Sequence, residues 1–406
     1  MKKIAILAVF LVASSLIFAQ KIALKAKVDE RCELLSTVFR LANAEEYVTH
    51  EIATKAQTSI DELLPVRGLS VAAPRVHLVD DFVKFIEQEL APAHFNLLIL
   101  RVEYNYAYKS YPELQSENPL TDADVKKIVN VCRKHDIRLV PLLDLLGHQS
   151  HRARLGNLLR VFPEFDETPH IPMPEEYKYT DPEGLIMKSY CPRHPEVHNV
   201  VFQLLDELID VFEADCFHAG MDEVFYIGHP LCPRCRGVDK AELFAEEVRT
   251  IHAHLQQKNC RMMIWGDRLI DGRATGTGMW EGSMNNTHRA IDMIPKDVFI
   301  CDWHYERADL TPVIFAAKGF DVAVCPWKNA DLAGIQLNDM LRFRKQSAPV
   351  MGQRFQGIIQ TVWYGCEQLL NDYYREDADN QTETAASCLK RVMEEVKNLY
   401  EKENEK

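Results

Sequence analysis

Two adjacent carboxylic acids, Asp222 and Glu223, lie near the end of a short apolar stretch at residues 217–224, which reads FHAGMDEV. A charge that is buried without a partner costs free energy, so two acids at the end of a buried strand indicate a site where the charges are used. At the mouth of a parallel barrel or sheet, acids in this position carry out acid–base chemistry. The stretch alone leaves another interpretation open, in which the pair is a solvated strand end or a helix start.

The stretch is part of a regular alternation of apolar strands and helical patterns. Continuous apolar strands are typical of a parallel sheet that is covered on both faces. Eight of them interleaved with helices favour an α/β fold of the (β/α)8 TIM barrel type, and no glycine-rich phosphate fingerprint follows the first strand. We expect these strands at residues 67–73, 94–102, 137–144, 217–224, 261–265, 298–303, 320–325 and 357–363.

The N-terminus has the pattern of a secretory signal. Lys2 and Lys3 precede an apolar run at residues 4–18, and Ala19 is followed by polar residues. We expect residues 1–19 to be a cleaved signal peptide, residues 20–65 a short helical prefix and residues 66–406 the barrel. The apolar run is short for a membrane span. We therefore expect a periplasmic or secreted protein with no membrane span after signal cleavage.

Charge and cysteine content narrow the class of protein further. The 406-residue chain has a net charge of −13, and it contains no long basic run, which argues against nucleic acid or an anionic membrane surface as a partner. Eleven cysteines are an odd number, so at least one is unpaired within the chain. The long apolar strands do not fit a small disulfide scaffold.

All five tryptophans fall on one predicted rim of the barrel, at or just after the C-terminal ends of strands. Aromatic rings stack on the C–H faces of sugar rings, and neighbouring acids bind the hydroxyls. Aromatic walls with a few polar groups are typical of a small-molecule site, and the carboxylates fit glycoside chemistry. The tryptophans are Trp265, Trp280, Trp303, Trp327 and Trp363.

Three motifs, in this order, resemble glycoside hydrolase family 20, the β-N-acetylhexosaminidases. Arg67–Gly68 is similar to the family's Arg-Gly, residues 144–148 (DLLGH) resemble its Asp-x-Pro-Gly-His, and FHAGMDEV resembles its His-x-Gly-Gly-Asp-Glu. The resemblance covers residues 66–365. The sequence departs from the family pattern at Met221, which replaces the second glycine, and at Leu146, which replaces proline.

The resemblance implies hydrolysis of a terminal β-linked N-acetylhexosamine from an oligosaccharide or glycoconjugate. The mechanism it implies is substrate-assisted and retaining, with the 2-acetamido carbonyl of the sugar as nucleophile. Glu223 would be the general acid and then the general base, and Asp222 would hold the acetamido N–H. No cofactor and no catalytic metal would be needed. The substrate-binding residues, by resemblance or position, would be Arg67, Glu103, His148, Trp265, Trp303, Tyr305, Trp327 and Trp363.

Three other functions remain open from the residues alone. One is a conventional retaining glycosidase with Glu281 or Glu367 as the second carboxylate. Another is a sugar-binding barrel without activity, and the third is a metallohydrolase that uses His148 and His218. Adjacent residues on a regular strand point to opposite faces, so Asp222 and Glu223 are a poor acid–nucleophile pair.

A second cluster of reactive residues lies outside these motifs. Cys191 and His194 precede the acids, and Cys232 and Cys235 follow them. Their spacing fits a zinc site, a disulfide between Cys232 and Cys235, or neither. In each case we interpret the cluster as a staple between loops.

Overall fold

The computed structural model describes residues 59–176, 187–375 and 383–404. The predicted signal peptide and all but the last residues of the predicted prefix lie outside this part of the chain. Eight parallel strands close into a barrel in which each strand pairs with its sequence neighbours, and the last strand pairs with the first. This confirms the (β/α)8 prediction. The strands are β1 Val66–Ala72, β2 Leu97–Arg101, β3 Arg138–Leu145, β4 Cys216–Gly220, β5 Arg261–Trp265, β6 Phe299–Asp302, β7 Val322–Val324 and β8 Phe355–Thr361.

Helices follow the strands on the outside of the barrel. Between β5 and β6, a 3-10 helix, Thr287–Asp292, takes the place of a long α-helix. In the described residues, no helix has the length and apolar character needed to cross a membrane. The main helices are α1 Val79–Phe85, α2 Asp122–Lys134, α3 Val197–Phe212, α4 Lys240–Gln257, α5 Thr311–Ala317, α6 Ala330–Gln346, α7 Cys366–Tyr373 and α8 Ala385–Asn404.

Several short helices and one small hairpin lie mainly in the loops between these strands and helices. Ile60–Leu63, Asn157–Val161, Gly272–Thr275 and Pro349–Gly352 are single helical turns, and Ser150–His151 pairs with Arg154–Leu155 as a small antiparallel hairpin. The hairpin and the turn Asn157–Val161 lie in the long excursion between β3 and α3.

The side chains of each strand alternate between two apolar layers, as the period of two requires. In β2, Leu97 and Ile99 point into the barrel, whereas Leu98 and Leu100 pack against the helices. Because the strands are parallel, their C-terminal ends lie on one rim. The residues that follow the strands are therefore brought together there, whatever their separation in the sequence.

The structure places Arg67, which was predicted to bind substrate, away from that rim. Arg67 is the second residue of β1, so it lies at the opposite end of the barrel from that rim. Its guanidinium donates to the carbonyl oxygens of His94 (2.7 Å) and Leu64 (2.6 Å) and pairs with Asp61 at 2.9 Å. Arg67 is a buried anchor that ties the chain before β1 to the loop before β2.

We predict that Arg67→Met lowers the free energy of unfolding by about 2–3 kcal/mol, because charged hydrogen bonds to buried acceptors are lost. The matched control is Arg75→Met, which replaces an exposed arginine just beyond the other end of β1 and should change stability by less than about 0.5 kcal/mol. Urea denaturation measures both. Equal stability of the two variants would contradict the anchoring role.

Candidate active site

A backbone reversal at the end of β4 places Asp222 and Glu223. The strand was predicted to reach residue 224, but it ends at Gly220 because Gly220 (φ 65°) and Met221 (φ 73°) are left-handed. A Cβ at Gly220 would lie 2.3 Å from Asp144 Oδ1, so only glycine fits there. The reversal removes the strand's alternation, and two adjacent acids can therefore enter the same pocket.

The loop after β3 brings His148 to these acids. His148 Nε2 lies 3.2 Å from Asp222 Oδ2 and 3.1 Å from Glu223 Oε2. Gly147 allows this approach, because a Cβ there would lie 2.7 Å from the carbonyl oxygen of Asp222. The structure thus brings together three residues that the sequence predicted as site residues, His148, Asp222 and Glu223. We call this cluster the catalytic trio, after the role that the sequence predicts for its two acids.

Left-handed backbone is concentrated around the catalytic trio. Residues other than glycine rarely adopt positive φ, because each instance costs about 1–3 kcal/mol of conformational free energy. Such a conformation persists only where the surrounding structure offsets this cost. Such strain is typical of functional sites, where packing fixes a side chain in one position. Five non-glycine residues with positive φ lie within three residues after the ends of β2, β3 and β4. They are Glu103, Leu146, His148, Met221 and Glu223.

The charges of the trio stabilise one another. Burial alone would lower the pKa of His148, but the charge of Asp222 and contacts with both acids raise it well above its ordinary value. Burial would raise the pKa of Asp222, but the charge of His148 holds it below its ordinary value. At neutral pH, Asp222 is therefore a carboxylate beside an imidazolium. Its Oδ1 atom is buried and has no hydrogen-bond partner in the described part of the chain.

A second pair of carboxyl groups lies beside the trio. The backbone N–H of Asp144 donates to Glu103 Oε1 at 3.3 Å. Burial and the charge of Asp144 raise the pKa of Glu103 well above its ordinary value, and burial and the charge of Asp222 raise that of Asp144. The pair therefore tends to retain a proton, and Asp144 Oδ1 is buried without a hydrogen-bond partner among the described residues.

Arg101 supplies a cation at this rim, and sequence reasoning missed it. It is the last residue of β2, and its guanidinium lies 5.0 Å from the ring centre of Trp363. Its Nη2 donates to the carbonyl oxygen of Trp363 at 3.4 Å. A basic residue that ends an otherwise apolar strand was the signal in the sequence that could have identified it.

Asp267 fixes the position of Glu223 and was also missed. Its Oδ2 accepts from the backbone N–H of Glu223 at 3.0 Å and from Arg268 Nε at 2.6 Å, while Oδ1 accepts from Trp303 Nε1 at 3.3 Å. Burial raises the pKa of Asp267 to about 6, although Arg268 acts in the opposite direction. Asp267 follows the end of β5 directly, which places it on the same rim as the acids.

Aromatic rings line the pocket, and Tyr305 lies at their centre. Its ring centre is 5.1 Å from that of Trp303 and 5.4 Å from that of Trp327, and its hydroxyl accepts from Trp363 Nε1 at 2.6 Å. Burial raises the pKa of Tyr305 well above its ordinary value, so the hydroxyl keeps a proton to donate. Trp265 is fully buried against Trp363, which makes it part of the pocket floor rather than its wall.

Glu281 holds Tyr305 in place. Its Oε1 accepts from the backbone N–H of Tyr305 at 3.1 Å, and its Oε2 contacts His304 Nδ1 at 2.8 Å. His304 Nε2 contacts Asp302 Oδ1 at 3.1 Å. Burial would lower the pKa of His304, but Asp302 and Glu281 raise it to about 10. Both oxygens of Glu281 are therefore engaged in holding the wall.

Three groups of described side chains have the donor atoms of a metal site within 4.8 Å of one another. The catalytic trio is one, and its contacts are those of an ion-pair cluster. His218 belongs to none of these groups. Its Nδ1 accepts from the N–H of Gly220, and its ring packs on Trp265. The other two groups are Glu281, His304 and Asp309, and Cys191, Cys232 and Cys235.

Met221, which replaces the second glycine of the family motif, places its side chain in the apolar core. Its side chain is fully buried in the apolar layer between the barrel and the helices, together with Leu146 and Val224. A glycine at this position would adopt the left-handed backbone without strain. Met221 adopts it at a cost, which the burial of its side chain offsets.

We predict that Met221→Ala lowers the free energy of unfolding by about 2–4 kcal/mol, because a buried side chain is lost. Met221→Gly loses the same side chain but relieves the backbone, so it should be about 1 kcal/mol more stable than Met221→Ala. Chemical denaturation of both variants tests this order. If the alanine variant were the more stable of the two, the backbone strain at Met221 would be refuted.

Comparisons with known proteins identify the family of the chain. A family model described as "Glycosyl hydrolase family 20, catalytic domain" matches residues 75–351. The β-hexosaminidase of Akkermansia muciniphila is 28% identical over an alignment of 193 residues, and the match covers 42% of this chain and 37% of that protein. Beta-hexosaminidase 1 of Coccidioides posadasii is 22% identical over 293 residues, covering 64% of this chain and 43% of that protein. The matched segments thus span less than half of either relative.

A solved structure shows the same fold. The chitobiase of Flavobacterium johnsoniae superposes with a TM-score of 0.56 at 17% identity, over 83% of this chain and 52% of that one. The family model covers more than half of the chain, and the motifs at Asp144–His148 and Asp222–Glu223 lie within its match. The chain belongs to glycoside hydrolase family 20.

Proposed function

We propose that the protein removes terminal β-linked N-acetylhexosamine from an oligosaccharide or glycoconjugate, with the substrate's own acetamido group as nucleophile. The observation that carries this proposal is the contact of both acids with one imidazole. Carboxylate oxygens of Asp222 and Glu223 approach within 4.8 Å of each other and of His148 Nε2. Two carboxylates of a conventional retaining pair lie about 5–5.5 Å apart across the scissile bond. Here His148 occupies the space between them.

The proposed reaction divides the work between the two acids. Glu223 donates a proton to the glycosidic oxygen while the acetamido carbonyl oxygen attacks the anomeric carbon, and the leaving group departs as an alcohol. The free Oδ1 of Asp222 accepts the acetamido N–H, and its charge stabilises the cationic oxazolinium intermediate. Glu223 then takes a proton from a water molecule, which attacks the anomeric carbon and restores the acetamido group.

The surrounding residues orient the sugar in this proposal. The Tyr305 hydroxyl donates to the acetamido oxygen, and Trp303, Trp327 and Trp363 provide the apolar wall. Arg101 replaces Arg67 as the guanidinium that meets the sugar hydroxyls, because it lies on the rim of the pocket. Glu103 and Asp144 supply acceptors beside it. His148 acts on Asp222 and Glu223 by charge and position.

The competing functions have less support in the described residues. A conventional glycosidase needs a second free carboxylate, but both oxygens of Glu281 are engaged. Glu367 is exposed in the first turn of α7. A sugar-binding barrel without activity would not need Asp267 to hold the backbone of Glu223, nor the strained backbone around the trio.

We predict that the protein cleaves an aryl N-acetyl-β-glucosaminide and leaves the matching aryl β-glucoside intact, because the glucoside lacks the nucleophile. Glu223→Gln should lower kcat on the first substrate by about 10²–10⁴-fold, since it removes the proton donor and acceptor. Released aryl alcohol is the measurement. The loss should be larger on a disaccharide, whose leaving group needs protonation more.

The matched control is Glu367→Gln, which makes the same change at an exposed acid and should leave kcat/KM unaltered. Full activity of Glu223→Gln would refute the assignment of the acid. Equal turnover of the two aryl glycosides would refute acetamido participation.

We also propose that the protein is exported. The support is the basic, apolar and small-residue pattern of residues 1–19. N-terminal sequencing of the protein from its native cells should begin at about residue 20, and a mature chain that begins at Met1 would contradict export by cleavage.

A further inference from the structure

Three buried cysteines meet where the excursion after β3 and the loop after β4 come together. Cys191 Sγ lies 3.4 Å from Cys235 Sγ and 3.7 Å from Cys232 Sγ. All three side chains are at most 2% exposed. Cys191 comes from the excursion after β3, and the other two come from the loop after β4. The fold therefore brings together thiols that are about 40 residues apart in the chain.

We propose that Cys191, Cys232 and Cys235 bind one zinc ion as a structural site. Zinc takes thiolate ligands at about 2.3 Å in a tetrahedron, which places neighbouring sulfurs about 3.8 Å apart. The two distances from Cys191 are close to that value. A disulfide would need about 2.05 Å, and none of the ten described cysteines forms one.

The number of thiols also favours a metal over a disulfide. A disulfide between any two would leave the third sulfur buried beside it without a covalent partner. A divalent cation would bind all three sulfurs as thiolates and would neutralise their charge.

Glu167 is the candidate fourth ligand in this proposal, and it would have to move toward the sulfurs, because it lies outside the group of donor atoms within 4.8 Å of one another. It is 1% exposed, its Oε1 accepts from the backbone N–H of His229 at 2.9 Å, and its Oε2 has no hydrogen-bond partner among the described residues. His194 is the weaker candidate, because its Nδ1 accepts from the N–H of Glu196.

The ion would join the two loops that carry the catalytic trio. On one side, the N–H of Tyr190 donates to the carbonyl oxygen of Leu146 at 3.1 Å, two residues before His148. On the other side, Cys232 and Cys235 lie in the loop that leaves Glu223. A closed site with buried thiolates stabilises structure rather than performing catalysis. The zinc ion would therefore fix the relative position of the two loops that carry His148 and Glu223.

The test is the metal content of the full chain as purified, without substrate, so its outcome does not depend on the proposed glycosidase activity. Elemental analysis should find about one zinc per chain. Cys191→Ser, Cys232→Ser and Cys235→Ser should each reduce this to less than about a fifth. Cys132→Ser, which changes a buried cysteine in α2 away from the cluster, is the control and should retain the zinc.

A second measurement on the unmutated chain covers the case in which the variants fail to fold. The reduced protein, stripped of zinc and reloaded with Co²⁺, should show thiolate-to-cobalt absorption in the near ultraviolet and the strong visible bands of a tetrahedral site. Zinc removal should lower the midpoint of thermal unfolding by at least about 5 °C. Reduced protein that binds neither ion would overturn the proposal, as would a Cys232–Cys235 disulfide found by peptide mapping.

Discussion

The contact of His148 with both Asp222 and Glu223 is the interaction on which the rest of the site depends. The contact requires a close approach of the loops after β3 and β4. Glycine at positions 147 and 220 permits this approach, because a Cβ at either position would clash with the neighbouring chain segment. Each loop also adopts left-handed backbone that is unfavourable in isolation. The apolar layer between barrel and helices holds that backbone in place, and Met221 belongs to this layer. The core thus maintains the geometry of the site as well as the stability of the barrel.

Outer contacts of the site divide into those that position the acids and those that shape the pocket. Asp267 holds the backbone of Glu223, and Glu281 holds that of Tyr305. Neither carboxylate is needed as a nucleophile when the substrate supplies its own. In the proposed mechanism one proton donor and one charge-stabilising carboxylate are sufficient, and this division accounts for the other acids of the pocket. We infer that Asp267 and Glu281 serve to position Glu223 and Tyr305.

The sequence allowed the barrel, the rim and the acids to be predicted, because strand periodicity and parallel order bring distant strand ends together. It could not show that Arg67 lies at the N-terminal end of β1, away from the rim where the acids meet. Arg67 matched a motif, yet its place at the start of the strand makes it an anchor, whereas Arg101 at the end of β2 faces the pocket. The end of β4 was placed too late because left-handed backbone at Met221 has no signal in residue type. The partners of Cys191 depended on tertiary contacts, which spacing along the chain does not reveal.

The measurement that tests the central claim most directly is the rate of hydrolysis of aryl glucosaminides whose N-acetyl group carries zero to three fluorine atoms. Fluorine withdraws electrons from the carbonyl oxygen and weakens it as a nucleophile, while the rest of the sugar stays unchanged. If Asp222 and Glu223 serve an acetamido nucleophile, kcat should fall steeply with each added fluorine. A kcat that is independent of fluorination would show that a protein carboxylate attacks instead, and it would contradict the account.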